Sequence, residues 1–195
     1  ALVFEEKLEE GKRELRRALA IRERIFGPDH PQVASTINEL GNIAIREDSL
    51  AAAEQYYSRM MEIYRKAYND QHYLIGTAAS NLGGVYLARK DYPRAQALYR
   101  DAVRRFTETQ GPDHINTGIA RIKLGRSLIR DRQYAEGAGE SLGGYEIVTR
   151  EATPGVSFLR AARRDLVVAY DSMGNKEAAE RFGREIADTS GGFSR

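Results

Sequence analysis

The chain has 195 residues, 42% apolar and 30% charged, and its 30 Lys and Arg exceed its 28 Asp and Glu by a net charge of only +2. So weak a basic excess argues against duplex nucleic acid as the main partner. The absence of cysteine excludes a disulfide scaffold, Cys-ligated zinc, iron–sulfur clusters and a thiol nucleophile. No apolar run approaches the roughly 18–20 residues of a membrane span, and Glu5, Glu6, Glu9 and Glu10 do not suit a signal peptide.

The first helical pattern covers 3–26 and starts at once, so the chain reads as part of a longer polypeptide. It stops at Gly27-Pro28-Asp29-His30, since proline lacks an amide donor and clashes with a preceding turn. Val33, Ile37, Leu40, Gly41, Ala44 and Ile45 then form one helical stripe, followed by a longer segment over 50–68. Such pairs recur at 73–89 with 92–110, 115–130 with 134–150, and 157–172 with 176–188. Leu40, Leu82, Leu124 and Leu166 share a 42-residue phase, as do Gly41, Gly83 and Gly125, and Gly27-Pro28-Asp29-His30 returns as Gly111-Pro112-Asp113-His114. A repeat of this length predicts an all-α solenoid of antiparallel helix pairs, 32–68, 73–110, 115–150 and 157–188. The segment 3–26 is then a second helix without its partner, and 189–195 a disordered tail of a single array spanning 1–195.

Gly41, Gly83 and Gly125, with Ala53, Ala95 and Ala179, fall where paired helices cross, and a large side chain there would push the axes beyond about 8–10 Å. Ser141, Val167 and Gly183 depart from this pattern, which predicts looser packing in the last two pairs. Of Gly137, Gly139, Gly143 and Gly144, two sit at small-residue positions, and the others should each weaken their helix by about 1 kcal/mol relative to Ala.

His30, His72 and His114 are in phase. Equivalent atoms of neighbouring repeats lie on the order of 10 Å apart, too far to converge on one ion with ligands at about 2 Å. Each is expected to close a turn, beside an Asp that caps the next helix. No triad and no phosphate loop appears. The carboxylates Glu5-Glu6, Glu9-Glu10, Glu177 and Glu180 interleave with Lys and Arg as on any solvated helix. No enzyme activity, cofactor or metal site is expected.

The pattern resembles the tetratricopeptide repeat: Leu40-Gly41 and Ala53 take its leucine, glycine and alanine positions, and Leu82-Gly83, Tyr86, Ala95, Tyr99 and Ala102 follow it in order. The 42-residue period, and Ala18-Leu19-Ala20-Ile21-Arg22-Glu23 leading to Gly27-Pro28-Asp29-His30-Pro31, look like its kinesin-light-chain type, which bacteria append to kinases and nucleotide-switch ATPases. The resemblance implies a right-handed αα-superhelix. It also implies a non-catalytic protein-interaction module, cytoplasmic and bacterial, taking an extended peptide in a concave groove lined by the first helices. The alternative is a regulatory domain of a larger signalling protein.

The family's inner-face register places Asn38, Asn42 and Arg46, then Ser80 and Asn81, in that groove. Ile119, Ile122, Lys123, Arg126, Arg130 and Arg164 continue it as a positive half suited to an acidic residue beside an apolar one. The irregular series Asn42, Gly84, Arg126, Val168 makes no base-reading code. Expected partners are proteins or peptides, without nucleic acid or membrane, and the uncovered stripe Leu8, Leu15, Leu19 suggests self-association through a solenoid end.

Overall fold

The computed structural model describes residues 2–150 and 156–190, with side chains over 8–150 and 157–187. The described residues form nine helices and no strand, with ends within two residues of those the periodicity predicts. The tail 191–195 lies outside the described residues, while 189 and 190, expected in that tail, belong to the last helix.

Two compact units divide the chain at Asp91. The first holds α1 (Leu2–Phe26), α2 (Pro31–Arg46), α3 (Leu50–Ala67) and α4 (Tyr73–Ala88), each packed against the next. Its core is Val33, Ile37 and Leu40 of α2, Ala53, Tyr57, Met60 and Ile63 of α3, and Ile75, Ala79 and Val85 of α4, all buried. The second unit holds α5 (Tyr92–Gln110), α6 (Ile115–Arg130), α7 (Tyr134–Thr149), α8 (Val156–Ser172) and α9 (Lys176–Ser190), again in sequential contact, with α6 also touching α8. Leu166, Ala162, Val148 and Phe182 centre its core.

Each helix stops and starts for a local reason. Asp48, Lys90, Arg132 and Gly174 share the 42-residue phase and all turn left-handed, with φ of 55, 62, 63 and 76°. The next amide closes back onto the helix, as Ser49 N–H does onto Ala44 O at 2.8 Å and Gln133 N–H onto Leu128 O at 2.9 Å, so the last carbonyls are satisfied. At the following turns the histidine itself is the cap. Nδ1 of His30, His72 and His114 accepts from the backbone N–H of Gln32, Leu74 and Asn116 at 3.2, 3.2 and 3.1 Å. The expected capping aspartates do something else: Asp29 pairs with Lys66 and Asp113 with Arg150, both at 3.0 Å.

A recurring polar link fastens α1, α3 and α5 each to the end of the next first helix. Lys12 Nζ meets Glu47 at 2.7 Å, and one period on Arg89 meets Glu54 at 2.5 Å with the charges exchanged. A further period on, the Gln96 amide donates to Asp131 at 2.9 Å.

The expected looseness around Ser141 is not what forms. In the first unit Gly41 makes room for the Tyr57 ring, whose Cε1 would lie 2.5 Å from a methyl built on that glycine. At the equivalent crossing Ser141 replaces the tyrosine, and α6 drops onto the α7 backbone instead. A methyl on Gly125 would strike Ser141 Oγ and lie 2.6 Å from Gly137 O, and one on Gly144 would strike Gly118 O. Removing a large side chain from a crossing lets the helices approach until backbone meets backbone, provided both partners offer glycine. The close approach leaves the Ser127 and Ser141 hydroxyls buried without a hydrogen-bond partner.

Candidate functional site

In the first unit, α2 and α4 bring Asn38, Asn42 and Asn81 together. Asn81 Nδ2 donates to Asn38 Oδ1 at 2.8 Å, and Asn38 and Asn42 donate to the two oxygens of Glu39 at 3.1 and 3.5 Å. The Tyr57 hydroxyl donates to Asn42 Oδ1 at 2.8 Å. Burial, with Glu39 adding to it, pushes that hydroxyl up to about 12, so it stays a donor. The asparagines therefore do not wait with idle amides. They form a plate centred on the exposed carboxylate of Glu39, which sequence reasoning left out of the site. Arg46 is exposed at the end of α2, whereas Ser80 is only 5% exposed and belongs to the core.

In the second unit, Arg126 Nε donates to Asp165 Oδ2 at 2.8 Å and ties α6 to α8. Burial lifts the Asp165 carboxyl above its usual range, and Arg126 and then Arg130 pull it part of the way back. Lys123, one turn before Arg126, is pushed down to about 8 by burial, with Arg126 adding to the fall. Arg130 and Arg164 are exposed and make no ion pair among the described residues. Ile119 is half-buried, but Ile122 is 1% exposed and packs beneath α7 with Ile129 and Val148. Ile122 therefore offers a ligand nothing. A positive surface exists on α6 and α8, but it consists of Arg130 and Arg164 flanking an arginine already bound, rather than of four free cations.

Among the described residues no group of three or more His, Cys, Asp or Glu is placed to hold a metal ion, and no helix is long and apolar enough to cross a membrane.

The sequence matches the tetratricopeptide repeat family over residues 1–66, 32–108 and 74–136, which together span more than half of the chain. No curated protein matches it. Among solved structures, BtubC (BKLC) from P. vanneervenii superimposes with a TM-score of 0.83 at 18% identity, covering 96% of this chain and 76% of its own. A putative kinesin light chain of nearly identical TPR-like repeats from Podosopora anserina gives 0.74 at 17% identity, over 98% of this chain and 90% of its own. The apo form of RapI gives 0.78 at 16% identity, over 96% of this chain and 51% of its own. The matched residues, the 42-residue phase and the helix pairs thus agree, and the chain belongs to the tetratricopeptide repeat family.

Proposed function

We propose that this chain is a non-catalytic interaction module that takes an extended protein segment along the first helices of its repeats, with an acidic residue over α6 and α8. The observation that carries this reading is the pair Arg130 and Arg164, exposed beside the Arg126–Asp165 link. Two arginines held at the edge of a half-buried ion pair sit where a carboxylate gains charge-assisted bonds without disturbing the fold. Ile119 supplies a half-buried apolar surface on the same helix as Arg130. The family supports the interaction role.

The test is a titration of the full chain with a fluorescent peptide library pairing one Asp or Glu with one apolar residue. Arg130→Glu should weaken the best binder about tenfold or more and flatten its salt dependence, and Arg65→Glu, at an exposed position of α3, should do neither. Equal loss in both variants would return these arginines to the role of solvated charges.

A further inference from the structure

The positive surface of the second unit is unbalanced by more than one charge. Helix α6 carries Arg121, Lys123, Arg126 and Arg130 and no acidic residue. Two arginines near this surface are engaged inside the fold, Arg121 by Glu140 of α7 at 2.9 Å and Arg163 by Glu185 of α9 at 3.2 Å. Arg126 and Asp165 cancel each other at 2.8 Å. Arg130 and Arg164 stay exposed, in no ion pair among the described residues, and both border Asp165. Arg164 precedes that residue in the chain. Burial lifts the Asp165 carboxyl, and the Arg130 charge, behind that of Arg126, pulls it back, so Arg130 lies within electrostatic reach of it. Two uncompensated guanidinium groups beside a half-buried ion pair focus a positive potential that an incoming anion discharges.

The donors decide which anion. Each guanidinium is a planar fork whose N–H groups match two oxygens at once. A carboxylate has two oxygens and one charge, so a bidentate match to Arg130 leaves Arg164 uncompensated, and the reverse. A phosphomonoester has three terminal oxygens and about −1.5 to −2 charge near pH 7, enough to meet both forks and cancel both charges. We propose that the extended segment of the preceding reading carries a phosphorylated residue, and that Arg130 and Arg164 clamp its phosphate beside the Arg126–Asp165 link. This inference rests on the groove reading and narrows its acidic residue to a dianion. Asp165 repels a phosphate that settles too deep, which keeps the dianion on the exposed arginines. Half-buried Ile119, on the same helix as Arg130, gives the residues beside the phosphate an apolar surface that a free phosphate would not use.

The probes are three fluorescent peptide libraries, matched except for a central phosphoserine, Glu or Ser beside an apolar residue, titrated against the full chain. The best phosphoserine peptide should bind about tenfold or more tighter than its Glu twin, and the Ser twin should bind least. Arg130→Gln and Arg164→Gln should each erase most of that preference while helix content and thermal midpoint hold, since both side chains are exposed. Lowering the pH from about 7.5 to 5.5 turns the phosphate into a monoanion and should bring the phosphoserine peptide down toward the Glu peptide, whose carboxyl stays ionised. Inorganic phosphate should displace the phosphoserine peptide only at concentrations far above that peptide's dissociation constant. Equal affinity for the phosphoserine and Glu peptides, both still weakened by Arg130→Glu, would overturn the dianion and leave the groove reading in place. A phosphoserine preference that survives both glutamine variants would put the phosphate elsewhere and overturn the clamp. Inorganic phosphate competing as well as the peptide itself would overturn it too, because the site would then take a free anion. No saturable binding from any library would overturn both readings.

Discussion

Arg126 of α6 and Asp165 of α8 are joined at 2.8 Å, both largely screened from solvent, with the acid on the helix of the following repeat. This one contact changes what the arginine is for. The groove register presents Arg126 as a waiting cation, yet its charge is already taken up in holding two first helices together. Arg126→Ala should therefore destabilise the chain by roughly 1–3 kcal/mol, since it leaves a half-buried carboxylate uncompensated. Asp165→Asn in the same background should recover part of that loss. A double-mutant cycle by urea denaturation measures the coupling, and additive single changes would mean that the pair contributes no net attraction.

The α6–α7 crossing yields a contrast between two glycines. Gly125→Ala puts a methyl within 2.6 Å of the α7 backbone, which no rotamer can relieve, and should cost about 2–4 kcal/mol by forcing the helices apart. Gly139 of α7 faces open space, so Gly139→Ala should stabilise the chain by about 1 kcal/mol through helix propensity alone. Thermal midpoints of the two variants should move in opposite directions. Equal shifts would mean that the close approach does not occur in solution.

The helices of the described residues are legible because proline and glycine mark their ends and apolar stripes mark their faces. The turns inside the pairs were much less so. Asp48, Lys90 and Arg132 adopt a left-handed conformation that only Gly174 announces by its type, and their common phase becomes meaningful only once the geometry is known. Ile122 was placed on the ligand face by register, but the glycines let α6 settle so deeply that its Cγ1 lies within 2.9 Å of a methyl built on Gly144. Such a shift depends on small residues of both helices acting together. Single-helix periodicity does not contain it. Glu39 and Asp165 stood in the same register, and their shared acidity was the available sign that the face is built around carboxylates as well as arginines.

The histidine caps make a separate prediction. His114 Nδ1 accepts from Asn116 N–H at 3.1 Å and satisfies one of the amides that begin α6. His114→Ala should cost about 1 kcal/mol, whereas His114→Asp, whose oxygen can accept the same bond, should cost little. Denaturant midpoints of the two variants separate capping from any other use of the ring. Equal losses would show that Nδ1 is not what matters.

Lys123 couples stability to pH. Burial, with the Arg126 charge adding to it, sets its ammonium near 8, against 10.5 for an ordinary lysine. Below about pH 8 the folded and unfolded chains both hold this proton, and the folded chain bears the full cost of a buried charge. Between about 8 and 10.5 the unfolded chain binds the proton and the folded chain has released it, so the Lys123 contribution becomes more favourable as pH rises. Lys123→Met removes the group, keeps an unbranched chain in its place, and should stabilise the protein near neutral pH. The difference between wild type and Lys123→Met should then shrink steadily from about pH 8 upward, with other titrating groups cancelling between the two proteins. A carboxylate bound beside Arg130 would favour the protonated amine, so affinity for an acidic peptide should fall over the same range in the wild type and hold steadier in the variant. Urea denaturation of both proteins from about pH 7 to 10 supplies the measurement. A difference that stays constant across that range would show that Lys123 titrates as an exposed lysine does, and that its charge is not buried at α6.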